Sequence, residues 1–213
     1  MLKAQRLLTS IGEKTGSTWL TYNPLVTMGF ARAARRNAPI VIDSILSSLP
    51  KPATVADYGC GLGIYVKEFQ DKGINAIGLE YNPRYQAIGR SKGLTILPWD
   101  LSLPEFQGIP TEKYDLVICL EVAEHIPATL ADRLVSVLIS SARTIIFTAA
   151  HPGQGGTGHI NEQSREYWIE KYTHAGAEYD SATTQQLAQM FANKGAFSYL
   201  STNLSVFRAP AHH

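Results

Sequence analysis

Glycines at alternate positions follow an acidic residue in the first third of this 213-residue chain. Asp57 closes a short apolar run, and Gly59, Gly61 and Gly63 come after it. Glycine lets the backbone adopt positive φ angles and approach a ligand that a side chain would block. Apolar residues then recur at the spacing of a helix, at Leu62, Tyr65, Val66 and Phe69. Because the first N–H groups of a helix have no partner within the helix, the stretch is predicted to cradle a polar small molecule.

The spacing of these glycines excludes the common phosphate-binding loops. A dinucleotide-binding G-x-G-x-x-G would need glycine at position 64 or 66, where the chain has Ile64 and Val66. The phosphate loop G-x-x-x-x-G-K-S/T is absent as well. Neither a pyrophosphate nor a triphosphate is therefore the expected ligand.

Acidic residues also follow the next apolar runs of the chain. Glu80 comes about 20 residues after the turn, the span of one strand-helix-strand unit, and its carboxylate can accept both hydroxyls of a ribose. Asp100 can accept from an adenine amino group while Trp99 covers the ring. Glu121 follows a fourth run, within Glu121-Val122-Ala123-Glu124-His125-Ile126. Since parallel strands carry their ligands at their carboxyl ends, these residues are expected to meet at one edge of a sheet.

Together, the glycine turn and the acidic residues after the following apolar runs resemble the motifs of class I S-adenosylmethionine-dependent methyltransferases. The segment from Asp57 to Gly63 is similar to their first motif, acid-x-G-x-G-x-G, and the segment from Glu121 to Ile126 is similar to the one that follows their fourth strand. The resemblance covers residues 50 to 150. It implies S-adenosylmethionine as the cofactor and S-adenosylhomocysteine as its product.

The resemblance also implies which residues hold the cofactor. Asp57, Gly59 and Gly61 would contact its methionine end, Glu80 the ribose and Asp100 the adenine. The complete predicted cofactor set is Asp57, Gly59, Cys60, Gly61, Glu80, Tyr81, Trp99, Asp100, Leu101, Leu120 and Glu121. Other roles are open for single members, since Asp57 could cap a helix, Glu80 could be a solvated loop residue and Trp99 a core aromatic.

Methyl transfer is an in-line displacement at a sulfonium, so the protein mainly aligns the reactants and excludes water. A base is needed only if the acceptor must lose a proton, and histidine is the usual candidate near neutral pH. His125, His151 and His159 compete for this role. His159 is the preferred candidate, as a base or a substrate-orienting residue, because it lies in a glycine-rich polar loop after the fifth strand. It could also be an ordinary polar loop residue.

Several classes of methyl acceptor are unlikely because the sequence lacks the motifs of the enzymes that act on them. The residues after Leu120 lack the Pro-Pro-aromatic segment of enzymes that methylate amino groups of DNA bases, and neither Cys60 nor Cys119 lies next to a proline as in the cytosine type. His151-Pro152-Gly153 replaces the acid that the metal-dependent catechol type carries after the fifth strand, so no metal is expected. Without a basic face, duplex nucleic acid is an unlikely partner.

A small molecule or sugar methylated at oxygen is therefore the predicted acceptor. The alternatives are N-methylation of a small amine or a protein side chain, and a cofactor-binding interaction or regulatory protein without catalysis. A hydride-transfer enzyme is a more distant alternative.

The elements that must position these residues alternate along the chain. Strands and helices alternate from residue 53 onward, which predicts an α/β fold with a doubly wound, mostly parallel sheet; the resemblance implies seven strands. Pro39 is expected to begin a new helix, Pro127 to open another, and Phe197–Phe207 to form a final extended segment. Residues 1–50 are predicted to be a helical extension, with Gly12–Asn23 as a possible lid, and residues 51–210 the cofactor-binding domain.

Composition agrees with an enzyme that acts on small molecules. The net charge of +1 gives no field that would attract nucleic acid or a membrane, and 45% of the residues are hydrophobic. No apolar run approaches the roughly 20 residues of a membrane span, and the N-terminus lacks a signal-peptide core. The expected location is the cytoplasm.

Overall fold

A seven-stranded sheet forms the centre of the protein, with strand order β3-β2-β1-β4-β5-β7-β6. The structure is a computed structural model that describes residues 24–103 and 113–210, so the predicted lid at Gly12–Asn23 lies outside the described residues. The strands are Thr54–Tyr58 (β1), Asn75–Glu80 (β2), Ile96–Pro98 (β3), Tyr114–Leu120 (β4), Ala142–Thr148 (β5), Glu178–Tyr179 (β6) and Ser205–Arg208 (β7).

The strands from β1 to β5 run parallel, whereas β7 is antiparallel to β5 and β6 is antiparallel to β7. The predicted doubly wound, mostly parallel sheet of seven strands is therefore confirmed. The strand order reverses at β1, which pairs with β2 on one side and with β4 on the other. In open α/β sheets a ligand crevice forms at such a reversal, outside the carboxyl ends of the strands.

Helices cover both faces of the sheet. They are Pro24–Ser48 (α1), Ile64–Asp71 (α2), Pro83–Arg90 (α3), Ala131–Ser141 (α4), Arg165–His174 (α5), Ser181–Asn193 (α6) and Ser198–Thr202 (α7). Residues of α1, α2, α6 and α7 share one hydrophobic cluster, and residues of α4 and α5 share the other. Along β4, Leu116 and Ile118 belong to the first cluster, and Val117 and Cys119 to the second. This alternation explains why the whole β4 segment is apolar, because a strand covered on both faces has no solvent side.

Helix α1 continues through Pro39, so the prediction that this proline begins a new helix is wrong. Proline removes one backbone donor from a helix interior. Pro39 is exposed, however, and the residues that follow it, Val41, Ile42 and Ile45, are completely buried against the sheet. Burial of that apolar stripe stabilises the helix on both sides of the proline. The division of the chain at residue 50 stays a prediction.

Other boundaries also differ from those predicted. The segment Phe197–Phe207 is not extended throughout, because α7 precedes β7 and places Leu200 in the core. After Pro127 the chain makes a short 3₁₀ turn, Ala128–Leu130, before α4 begins. Strand β6 has only two residues and was not predicted, since so short an edge strand carries no alternating pattern.

Within residues 24–103 and 113–210, none of the helices combines the length and the apolar character that crossing a membrane would require.

The glycine turn yields a stability prediction. Gly63 and Gly73 have similar φ angles, +72° and +74°, but a Cβ at Gly63 would lie 2.6 Å from Leu94 Cδ1, whereas at Gly73 it would meet nothing within 4 Å. Gly73→Ala should cost only the left-handed backbone strain, about 1–2 kcal/mol. Gly63→Ala should lower the free energy of unfolding by about 1–3 kcal/mol more, because it adds steric overlap. Urea denaturation measures both, and equal losses would contradict the packing role of Gly63.

Candidate active site

The glycine turn after β1 is tied to the end of β2. The N–H groups of Gly59 and Cys60 donate to the carbonyl of Leu79 at 2.8 and 3.1 Å. Gly59 has a φ of +76°, and a Cβ there would lie 2.4 Å from Val122 Cγ2. Gly61, with a φ of +56°, would point a Cβ into open space. Gly59 is thus required by close packing, while the backbone at Gly61 leaves room for a ligand.

Asp57 and Glu80 lie beside this turn, and both are buried. Glu80 accepts hydrogen bonds from the N–H of Gly61 at 2.8 Å and of Asn82 at 2.7 Å, and burial raises the pKa of its carboxyl. Asp57 is 3% exposed, and no described residue donates a hydrogen bond to its Oδ2. Burial, and secondarily the charge of Glu80, raises the pKa of Asp57 to about 8. Asp57 is therefore mostly protonated at neutral pH, and it can pair with a cationic ligand only after it loses that proton.

A cavity of about 840 Å³ opens at the carboxyl ends of the central strands. Its wall contains every residue of the predicted cofactor set: Asp57, Gly59, Cys60, Gly61, Glu80, Tyr81, Trp99, Asp100, Leu101, Leu120 and Glu121. The Trp99 ring packs edge-on against Tyr58, with centroids 5.1 Å apart. Asp100 accepts from the Ser102 N–H and hydroxyl through Oδ1 alone. In the described part of the chain Oδ2 of Asp100 accepts no hydrogen bond, and the residue lines the cavity.

Helix α1 forms a wall of the same cavity that was not predicted. Its cavity-facing residues are Thr27, Phe30, Ala31, Ala33, Ala34 and Asn37. The hydroxyl of Thr27 is hydrogen-bonded to that of Tyr85 in α3 at 2.8 Å, and Asn37 Oδ1 accepts from the N–H of Phe197 at 3.1 Å. These bonds hold α1 across the carboxyl edge of the sheet. The small alanines on this side leave the space open.

Glu121 is the only residue other than glycine with a positive φ, +56°, in the described part of the chain. Such a backbone costs energy and persists only when the surroundings impose it. Its N–H donates to the backbone carbonyl and the hydroxyl of Thr148. Its carboxylate accepts from Gln154 at 3.2 Å and from Asn203 at 3.1 Å, and those two amides are also bonded to each other. The strained backbone thus directs a carboxylate into a closed polar network.

Glu124, His125 and His159 form a second group at the cavity, here called the Glu-His-His cluster. The Glu124 side chain is fully buried, and neither of its carboxyl oxygens makes a hydrogen bond of normal geometry within residues 24–103 and 113–210. Burial, with a further contribution from Glu121, raises the pKa of Glu124 to about 9. Burial lowers the pKa of His125 to about 4, so this imidazole is neutral at physiological pH.

The loop after β5 carries His159, and the side chain of Glu162 links its two ends. The carboxylate of Glu162 accepts from the N–H of Gly153 at 2.8 Å, from the N–H of Gly155 at 2.7 Å and from Nδ1 of His159 at 2.8 Å. A Cβ at Gly156 would lie 2.2 Å from Nε2 of His159, so only glycine allows the loop to close over this ring.

The structure separates the three candidate histidines. His125 and His159 face the cavity with ring centroids 5.0 Å apart. His151 is exposed, its Nδ1 lies 3.1 Å from the carbonyl of Pro152, and it is not part of the cavity wall. The sequence expectation that His151 lies where the acceptor enters has no counterpart in this geometry.

Several site residues were missed by sequence reasoning. Glu124 lies inside the recognised segment but received no role, and its burial gives no signal in the sequence. Asn203 is 82 positions from Glu121, so their contact depends on α7, which was not predicted. Glu162 could have been noticed as the acid within a glycine-rich loop, since such a loop needs acceptors for its many N–H groups.

The chain is similar in sequence to known methyltransferases. A family described as a methyltransferase domain matches residues 30–195. The ubiquinone biosynthesis O-methyltransferase of Acinetobacter baumannii (strain ACICU) is 27% identical over 105 residues, 46% of this chain and 40% of that protein. The chloroplastic magnesium protoporphyrin IX methyltransferase of Arabidopsis thaliana is 30% identical over 103 residues, 46% of this chain and 33% of that protein. The matched region thus spans less than half the length of these curated relatives.

Solved structures share the fold at low sequence identity. CalS10, an amino pentose methyltransferase from Micromonospora echinaspora, superimposes with a TM-score of 0.63 at 17% identity, covering 87% of this chain and 97% of that one. A TehB-like methyltransferase from Corynebacterium glutamicum gives 0.61 at 16% identity, covering 88% and 100%.

The role of Glu162 can be tested by hydrogen exchange. Glu162→Ala removes the acceptor of the Gly153 and Gly155 amides, and a hydrogen bond to a charged group contributes about 1.5–3 kcal/mol. Both amides should therefore exchange about tenfold faster or more, as measured residue by residue by NMR. Glu170→Ala, an exposed position in α5, is the matched control and should leave them unchanged. Unaltered exchange in Glu162→Ala would show that other contacts hold the loop.

Proposed function

The chain belongs to the class I S-adenosylmethionine-dependent methyltransferases, and from this premise we propose that it moves a methyl group to oxygen of a small molecule or sugar. The match to residues 30–195 confirms the predicted family and, with it, S-adenosylmethionine as the cofactor. The observation that carries the proposal is the convergence of all the predicted cofactor residues and of His159 on one cavity.

The residues of the cavity fit the cofactor. Asp57 offers a buried oxygen without a partner, which suits the ammonium group at the methionine end. Glu80 fixes the turn through Gly61 and Asn82 and retains acceptor capacity for ribose hydroxyls, because a carboxylate has about four lone-pair sites. Asp100 Oδ2 suits an adenine amino group beside Trp99. The cofactor supplies a methyl group on a cationic sulfur, so these residues need only position it.

The acceptor side of the cavity is proposed to lie around His159. Glu162 accepts from Nδ1–H of His159, which makes Nε2 the nitrogen that carries the lone pair. A carboxylate that orients an imidazole in this way is a recurring arrangement in catalysis. We assign to His159 the activation of the acceptor hydroxyl, and to α1 the exclusion of water from the cavity.

A small-molecule acceptor agrees with the names of the similar proteins. Those names concern ubiquinone biosynthesis, magnesium protoporphyrin IX and an amino pentose. The aligned part of the curated relatives is short, so the choice of acceptor rests on the cavity and on this shared class. N-methylation of a small amine is the competing assignment, and it would need no base if the amine were already neutral.

Cofactor affinity should depend on pH through Asp57. The raised pKa of about 8 means that the carboxyl must lose its proton before it can pair with an ammonium group. Affinity for S-adenosylhomocysteine should therefore rise by up to about tenfold per pH unit from pH 6 to pH 8 and level off above. Isothermal titration calorimetry measures this. In Asp57→Asn the affinity should be weaker and flat with pH, whereas the wild-type slope in that variant would remove Asp57 from the site.

Turnover should depend on His159. A catechol, a simple phenol and an aminosugar, each supplied with methyl-labelled S-adenosylmethionine, serve as acceptors. With the acceptor that is labelled, His159→Ala should lower kcat about 10²- to 10⁴-fold and change the affinity for S-adenosylhomocysteine less than about twofold. His174→Ala, an exposed histidine of α5, is the control. Retained turnover in His159→Ala would refute the assignment, and labelling of amines alone would favour N-methylation.

A further inference from the structure

We propose that the Glu-His-His cluster binds a divalent transition-metal cation, of the zinc type, at the acceptor end of the cavity. The ligands would be a carboxylate oxygen of Glu124 and Nε2 of both His125 and His159. The site itself is argued from these side chains alone. Only its role toward the acceptor rests on the proposed methyltransferase function.

The donor atoms are already gathered. One potential ligand atom from each of the three side chains lies within 4.8 Å of the others, and His159 Nε2 is 4.0 Å from Glu124 Oε1. Zinc binds nitrogen and oxygen at about 2.0–2.2 Å, which places neighbouring ligands about 3–3.5 Å apart. Movements of about 1 Å by the two rings would close the site, and His125 ends a short 3₁₀ turn while His159 lies in a loop, so neither ring is fixed by a strand.

Both imidazoles are oriented for coordination. Nδ1–H of His125 donates to the carbonyl of Gly158 at 3.1 Å, and Nδ1–H of His159 donates to the carboxylate of Glu162 at 2.8 Å. In each ring the lone pair is consequently on Nε2. Histidines that bind metals almost always donate their other ring N–H to a carbonyl or a carboxylate, which fixes the tautomer and the ring orientation.

Glu124 provides an independent observation that points to a ligand. Its side chain has no exposed surface, and neither carboxyl oxygen makes a hydrogen bond of normal geometry to any described residue, although Glu121 and the backbone of Ala150 lie beside it. A buried polar group without partners is costly and rare. The residue cannot easily turn away, because its backbone carbonyl accepts from the N–H groups of Ile160 and Asn161 at 2.8 and 3.1 Å. A bound cation would satisfy this carboxyl group where it now lies.

The donor set selects the kind of metal. Imidazole nitrogens suit zinc and its first-row neighbours, whereas magnesium prefers oxygen ligands and keeps several waters. Three protein ligands leave coordination positions open, and all three residues line the cavity. A hydroxyl oxygen bound there would lose its proton more readily, so His159 would act on the acceptor through the cation.

This assignment reverses the sequence expectation that no metal binds. That expectation looked for a second acid after β5. The structure instead brings His159 from the loop after β5 next to Glu124 and His125 after β4.

Zn²⁺ binding to the full chain, free of S-adenosylmethionine and acceptor, tests the proposal directly. Calorimetry with Zn²⁺ and the visible d–d absorption of added Co²⁺ should each report one equivalent bound at this site. His159→Ala and Glu124→Gln should weaken that binding by about 100-fold or more, and Glu162→Gln by about 10-fold, since it orients a ligand. Glu124→Gln preserves side-chain shape, and near-UV circular dichroism checks that each variant is folded.

His174→Ala is the matched control and should bind Zn²⁺ like the wild type. His212 and His213 are present in every variant, so their contribution cancels. Equal Zn²⁺ binding by wild type and His159→Ala, or binding of Mg²⁺ without Zn²⁺ or Co²⁺, would overturn the proposal.

Titration of S-adenosylhomocysteine in the presence of a chelator separates this inference from the proposed function. Metal binding without cofactor binding would refute the methyltransferase proposal and leave the metal site standing. Cofactor binding without metal binding would refute the metal site alone.

Discussion

The pairing of β1 with both β2 and β4 is the constraint on which the site depends. Asp57 of β1 lies opposite Gly78 of β2 and Ile118 of β4, although β4 is separated from β1 in sequence by two intervening strands. Parallel register carries Asp57, Glu80 and Glu121 to one edge, and the helices that follow the strands must diverge to opposite faces. The crevice between them is the cavity. Its position therefore follows from topology before any side chain is chosen.

That crevice concentrates carboxyl groups where water is largely excluded. Asp57, Glu80 and Glu124 are all buried, and burial raises the pKa of each. A carboxyl whose pKa is higher in the folded than in the unfolded protein destabilises the fold progressively as the pH rises above the unfolded value. The described residues place no lysine or arginine beside these carboxyl groups in the cavity wall. If an ammonium group binds beside Asp57 and a metal cation beside Glu124, as proposed, each would offset part of this cost, and ligand binding would then raise the stability of the fold.

The sequence located the residues at the strand ends of the cavity better than those that α1 and the loops bring to it. The glycines after Asp57, and the acids Glu80 and Asp100, each lie within a few residues of a strand end, so local patterns locate them. The prediction at Pro39 was wrong because the burial of residues on both sides of the proline stabilises the helix by more than the loss of one backbone hydrogen bond costs. His151 was a candidate base because of its position at a strand end, but that position does not determine whether its side chain points into the cavity. Asn203 could not be found, since its partner Glu121 is 82 residues away and α7 carries no strong pattern.

The difference between residues at strand ends and residues in loops also determines how such a protein can change its substrate. The proposed cofactor side is formed by the turn after β1 and by strand ends whose register is fixed by the sheet. The proposed acceptor side is formed by α1, by the loop that contains Glu162, and by the 3₁₀ turn that carries Glu124 and His125. Loops tolerate substitution far more readily than paired strands. Replacing Phe30 of α1 would reshape the proposed acceptor side while the hydrogen bonds from Gly61 and Asn82 to Glu80 stay intact, so the proposed cofactor side does not constrain the choice of acceptor.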